Sequence, residues 1–269
     1  MADIQAITFS GFGDKAWQPF DSLDFAAGMQ VAGITASELR KAVGSFLLGF
    51  LPGERPTFVA LLGLRQRSNL FVGLDGKWRG PYVPAVLRGY PFRLLTAGSG
   101  EFALGYDVDS GLLRLSGEGE PFFNADGQPA DRVRQTLQFL LNIRQGLEAA
   151  TLAVEKLQAH DVLEPWPIRV GEGEGLIGVD GLLRVNEARL NALGPDALAD
   201  LRDSGALALA YAHLLSTDNA QVLAQLETLH AHETEAAQKH QKQVASTFGL
   251  DTDGTIQIDW DAVLSDGKL

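Results

Sequence analysis

The chain has 269 residues, no cysteine and a net charge of −12, from 34 acidic and 22 basic side chains. Lack of cysteine excludes disulfides, thiolate metal sites and cysteine nucleophiles. The acidic excess disfavours phosphate-rich partners, so neither nucleic acid nor an anionic membrane surface is expected to bind.

Hydrophobic residues at 45% and charged residues at 21% suit a soluble globular fold of one or two domains. The N-terminus, MADIQAITFSGFGDK, lacks a basic region followed by an apolar one, which predicts no secretory signal and a cytoplasmic chain. A cell-surface location would then require export independent of such a signal. The most apolar segment, 42–51, stops at Pro52, far short of the roughly 20 residues a membrane span needs. An integral membrane protein is not expected.

In chain order, Thr35 can cap a helix over 36–43, with Glu38 completing a capping box. Apolar runs at 45–51 and 57–64 flank Pro52-Gly53-Glu54-Arg55-Pro56 and predict two buried, paired strands. Residues 69–74 lead through Asp75-Gly76, a favoured hairpin turn, into 77–79. Residues 92–96 and 101–108 form another hairpin candidate. Pro129 opens a long helix to about His160, in which Val133, Leu137, Leu140, Leu141, Leu147, Val154 and Leu157 recur at helical spacing. Gly146 inside it costs about 1 kcal/mol relative to alanine, and so marks a close packing contact.

A second β unit follows, with strands at 166–170, 176–179 and 182–185, the last two joined by an Asp180-Gly181 turn. Helices are predicted over 186–193, 195–203, 206–216 and 219–229. The last continues into a polar stretch to Gln243, and 255–260 alternates like a strand. The fold class is α+β: a β-rich N-terminal half (1–128), a long central helix and a helical C-terminal half (129–229), then a polar extension (230–269). The first two regions are expected to share one compact domain.

No strong catalytic motif emerges. Gly173-Glu174-Gly175-Leu176-Ile177-Gly178 has dinucleotide-binding spacing, but runs toward a strand where that chemistry needs a helix, and Glu172 and Glu174 would repel phosphate. Asp107-Val108-Asp109-Ser110-Gly111, with Glu118 and Glu120, departs from a calcium loop at its fifth and sixth positions. His230 and His232 lie two apart and face away from each other on a helix. His213 lies on an apolar helix, as core histidines do. The sequence calls for no cofactor and no metal.

One stretch stands out. Trp78, Tyr82, Tyr90 and Phe92 interleave with Lys77, Arg79, Arg88 and Arg93, stiffened by Pro81, Pro84 and Pro91. Rigid rings beside arginines are what interface hot spots use, and arginine can grip a carboxylate with two parallel bonds. The same residues could equally be core rings covered by arginine stems. As a binding surface the candidates are Trp78, Arg79, Tyr82, Arg88, Tyr90 and Phe92.

The chain resembles the SapC family. The resemblance is carried by Leu61-Leu62-Gly63-Leu64, Asn69-Leu70-Phe71-Val72, Gly76-Lys77-Trp78-Arg79, Tyr82-Val83-Pro84 and Arg88-Gly89-Tyr90-Pro91-Phe92. Further on it rests on Gly119-Glu120-Pro121-Phe122-Phe123, the long helix and Tyr211-Ala212-His213-Leu214-Leu215-Ser216. At Gly89 the chain departs from the second basic residue usual in the family. The resemblance implies association with a bacterial surface layer and brings no enzymatic activity with it. The leading expectation is a non-catalytic module that binds a protein or peptide; a homo-oligomer is compatible with it. The alternatives are an enzyme, or accessory subunit of one, that modifies peptides or proteins using His213 with nearby carboxylates or a metal held by histidine and acidic groups, and a calcium-dependent lattice subunit.

Overall fold

The computed structural model describes residues 3–96, 98, 100–115, 117–171 and 176–248. In chain order the elements begin with β1 (Ile4–Ala6), α1 (Phe9–Phe12), β2 (Lys15–Trp17), β3 (Val31–Gly33) and α2 (Leu39–Ala42). Then come β4 (Leu47–Leu51), β5 (Thr57–Leu61), α3 (Ala85–Arg88), β6 (Phe92–Thr96), β7 (Phe102–Asp107), β8 (Leu113–Leu115) and β9 (Glu120–Pro121). The second half holds α4 (Asp131–Ala159), β10 (Leu163–Val170), β11 (Ile177–Val185), α5 (Glu187–Asn191), α6 (Pro195–Asp203), α7 (Ala206–Leu215) and α8 (Ala220–Phe248). The fold is α+β, as expected from the sequence.

Residues Met1–Leu226 make one compact unit and Glu227–Leu269 a second. In the first, the described strands form three antiparallel sheets of order β1-β7-β6, β10-β11-β4-β5-β3 and β8-β2-β9. The five-stranded sheet therefore joins both halves of the chain. Strands β4 and β5 pair from Leu47↔Leu61 to Leu51↔Thr57, as the twin apolar runs predict. Strands β6 and β7 pair from Phe92↔Tyr106 to Thr96↔Phe102.

Two expected hairpins need correction. Asp75-Gly76 does turn, with Gly76 at φ 73°, but it closes only the isolated Val72↔Trp78 bridge and no longer ladder. Asp180-Gly181 is not a turn. It lies within β11, whose partner β10 shows a register shift between Trp166 and Ile168. Val179 and Leu182 are both buried although three residues apart, so strict alternation would put one of them on the wrong face. An irregularity at this point restores the pattern, and Gly181 absorbs it at φ 97°. The preceding residues 172–175, part of the glycine motif, lie outside the described residues, as does the expected strand at 255–260.

The long helix α4 contributes to two cores. Its C-terminal half buries Ala150, Ala153, Val154 and Leu157 in the large core with the five-stranded sheet, α6 and α7. Its N-terminal half places Val133, Leu137 and Leu140 with Phe12, Trp17, Phe92, Tyr106 and Phe122. Between them most of the apolar side chains from Phe139 to Leu147 are only half covered, Ile143 excepted. Gly146 marks a close contact: a Cβ there would lie 2.9 Å from Thr35 Cγ2. The seam between the two cores is where the clefts described below open.

The second unit is described only through the helical residues 227–248, which carry mostly exposed polar side chains where these are described. Among the described residues no helix is long and apolar enough to cross a membrane.

Candidate functional site

The keystone of the seam is Glu38. The capping box forms, but the helix it starts is short: a 3-10 turn over Ala36–Glu38 runs into α2. Only 5% of Glu38 is exposed. Its Oε2 accepts from the Thr35 backbone N–H at 3.0 Å and the Thr35 hydroxyl at 2.8 Å. Its Oε1 accepts from the Tyr82 hydroxyl at 2.8 Å and the Ala85 backbone N–H at 2.7 Å. A buried carboxylate is tolerated only when its lone pairs are filled in this way. The same bonds tie the start of α3 to the capping turn across 47 residues of chain.

Above it stands the Tyr82 ring. Burial, reinforced by the bond to Glu38, pushes its phenol up to about 12, so it stays a donor at any ordinary pH. Arg88 Nη2 donates to the Tyr82 oxygen at 3.2 Å. The Arg88 guanidinium lies 5.5 Å from the Tyr82 ring centroid and 5.4 Å from that of Phe139 on α4. Lys41 Nζ lies 5.4 Å from the Tyr82 centroid. Each such contact contributes roughly 0.5–1 kcal/mol at an exposed site, enough to bias where the cation sits.

Two clefts adjoin at this point, and Arg88 and Phe139 line both. One, of about 650 Å³, is bounded by Glu38, Arg40, Lys41, Tyr82, Asn142 and Ile143. The other, of about 300 Å³, is walled by Trp17, Phe20, Tyr90 and Phe92, with Arg132, Gln135 and Thr136 at its rim. Both volumes fall in the range of ordinary ligand sites. Gly89 lets α3 close on α4, since a Cβ there would come within 2.5 Å of Leu140 Cδ2.

The six residues singled out from sequence divide. Tyr82, Arg88 and Tyr90 line the clefts. Phe92 also borders one, but it is buried and packs edge-on against Trp17 at 4.8 Å. Trp78 lines neither cleft: it stacks on Phe71 at 5.2 Å, meets Phe46 edge-on, and its indole N–H donates to Tyr82 O at 2.7 Å. Trp78 thereby fixes the loop that presents Tyr82. Arg79 is half-buried and its backbone N–H donates to Phe71 O at 2.7 Å. Tyr90 stacks face to face on Phe25 at 3.9 Å.

Sequence reasoning missed Arg40, Lys41 and Phe139 as cleft residues, and saw Glu38 only as a helix cap. The adjacent Arg40-Lys41 pair one turn after a capping glutamate was the one available signal.

His213 has a different role. Its Nδ1–H donates to Leu48 O at 2.8 Å, while Ser216 Oγ accepts from Leu48 N at 3.1 Å. Strand β11 reaches β4 in register only at Leu183↔Phe50, so the backbone of Leu48 takes its partners from α7 and the residue that follows it. The Tyr211–Ser216 segment thus completes the sheet edge that β11 leaves. Trp166 meets the imidazole edge-on at 4.9 Å, and burial lowers its pKa to about 4. At neutral pH this ring is uncharged and a weak base. It borders a cleft of about 570 Å³ with Glu164 and Arg184, which pair with each other at 2.7 Å.

The acidic loop is likewise engaged. The Asp107 carboxylate accepts from the Asp109 N–H at 3.2 Å, and Glu120 pairs with Arg132 at 2.7 Å. Among the described residues no group of three or more histidine, aspartate or glutamate side chains converges as a metal ion would need.

Comparison with curated proteins and with solved structures returns no significant match. The SapC sequence profile matches residues 9–223, which takes in every element that builds the two clefts. The chain belongs to the SapC family.

Proposed function

We propose that this chain is a non-catalytic module that binds a protein or peptide in the paired clefts on either side of Arg88 and Phe139. The observation that carries the reading is that shared border. Two clefts of about 650 and 300 Å³ meet at one cation–ring contact on α4. A segment longer than a single side chain can occupy both at once. The walls are made of aromatic rings and arginine, the residue types that dominate binding hot spots. They are also pre-set: Glu38 fixes Tyr82 and α3, Tyr82 fixes Arg88, and pre-organisation lowers the entropic cost of binding.

The test is a peptide array probed with the wild-type chain and with Arg88→Ala and Phe139→Ala. The reading expects a set of peptides retained by wild type and lost by both variants. No retained peptide, or retention unaffected by both substitutions, would refute it.

A further inference from the structure

Lining the two clefts are Arg40, Lys41, Arg88 and Arg132, against the single carboxylate of Glu38. Glu38 is turned inward, its oxygens filled by two backbone N–H groups and two hydroxyls. Arg132 is paired with Glu120. Among the described residues Arg40, Lys41 and Arg88 form no ion pair with any carboxylate. Three cations without an ion pair gathered beside one buried carboxylate are a local positive excess, unexpected in a chain of net charge −12, where carboxylates outnumber cations. The molecule's overall negative charge does not cancel their pull at close range. At physiological ionic strength charges beyond about 8 Å are largely screened, so the nearest charges govern what enters, and here three cations outnumber the one inward-turned carboxylate. The smaller cleft has a different chemistry, with Trp17, Phe20, Tyr90 and Phe92 as its walls.

We infer that the occupant is an acidic polypeptide segment carrying an aromatic or large apolar side chain. Its carboxylates lie against Arg40, Lys41 and Arg88, and its ring or aliphatic side chain fills the slot beyond Phe139. This rests on the polypeptide-binding reading above and specifies its ligand. Arg88 is the selective element, because it borders both clefts and its guanidinium can donate to a carboxylate while resting on the Tyr82 and Phe139 rings.

The experiment is calorimetric titration of the full chain with four synthetic decapeptides at low and at physiological salt. One is rich in aspartate and glutamate around a single tryptophan. In the second every carboxylate is replaced by its amide, in the third the tryptophan is alanine, and the fourth carries lysines for the acidic residues. The first is expected to bind tightest and to weaken with salt. The second and third should each bind about tenfold or more weaker, and Arg88→Ala should remove about the same factor. Arg88→Glu should shift preference toward the lysine peptide, a gain that a merely misfolded variant cannot give.

Equal binding of the acidic and amide peptides would overturn the inference, as would full displacement of the acidic peptide by inorganic phosphate, which would make this a small-anion site. If the array retains only neutral peptides, the charge assignment fails and the binding reading stands. If it retains none, both fail.

Discussion

Replacing Glu38 by alanine is the most informative perturbation of this fold. The substitution leaves the backbone N–H groups of Thr35 and Ala85 without their acceptor in the interior, and takes from the Tyr82 hydroxyl its closer partner. Each orphaned buried donor costs about 1–3 kcal/mol, so the two amides together should cost about 4 kcal/mol. For a unit of this size that is a fall in Tm of roughly 8–16 °C, and a large share of a typical total stability of about 5–15 kcal/mol. Glu38→Gln keeps the shape and one acceptor oxygen, and should cost about half as much, roughly 2 kcal/mol. Tyr82→Phe removes the bond to Glu38 and the longer one from Arg88, and should cost about 1–2 kcal/mol. Combined with Glu38→Ala, it should add less than its own cost, because the bond to Glu38 is already gone and only the one from Arg88 remains to be lost. Urea unfolding followed by circular dichroism measures all of these. A loss below about 1 kcal/mol for Glu38→Ala would mean that the carboxylate is not the tie between the capping turn and α3.

Other perturbations have equally definite outcomes. His213 has a pKa of about 4 in the fold against 6.5 when free, so between these values the unfolded chain binds a proton that the folded chain refuses. Its contribution to stability is complete above pH 6.5 and is lost as pH falls toward 4, by about 3 kcal/mol; His213→Gln should flatten the acid limb of the stability curve by about that amount, and an unchanged limb would contradict the burial argument. Ser216→Ala removes the acceptor for Leu48 N–H and should cost about 1–3 kcal/mol by denaturant titration; a neutral result would mean the helix is not completing the sheet. Gly63→Ala puts a Cβ 1.9 Å from the Ser68 carbonyl oxygen, and a variant less than about 1 kcal/mol weaker would contradict that backbone approach. Gly181→Val forces a β-branched residue to φ 97° and should cost about 1–2 kcal/mol, whereas a turn-tolerant site would show no change.

The parts of this fold legible in the sequence are those whose signal is local. The run of apolar residues on each side of Pro52–Pro56 determines β4 and β5, since a strand buried on both faces needs no alternation. Pro195 at the first turn and a short periodic stretch define α6 to the residue. Gly146 was readable as a close contact because a glycine inside a long helix is otherwise costly.

What the sequence hid is what depends on distant partners. Asp180-Gly181 has the composition of a turn, and only its pairing with β10 shows that the glycine serves a strand irregularity. The aromatic run does not say which of its rings face inward: Trp78 supports the site from within, while Tyr82, Arg88, Tyr90 and the largely buried Phe92 border it. The cationic wall needs Arg40 and Lys41, brought beside Tyr82 by a glutamate 44 positions away from it in the chain. Phe139 was invisible because the periodicity of α4 describes a single stripe, whereas the helix serves two cores and leaves the seam between them half covered.

Where a ligand sits on this chain is the decisive observable. Hydrogen exchange of the full chain with and without the tightest array-selected peptide locates it. Slowed exchange should appear at residues 35–41, 82–90 and 135–143, and Arg88→Ala at the same peptide concentration should weaken it. Protection confined to the cleft beside His213, or none at these three segments, would contradict the assignment of the paired clefts as the binding surface.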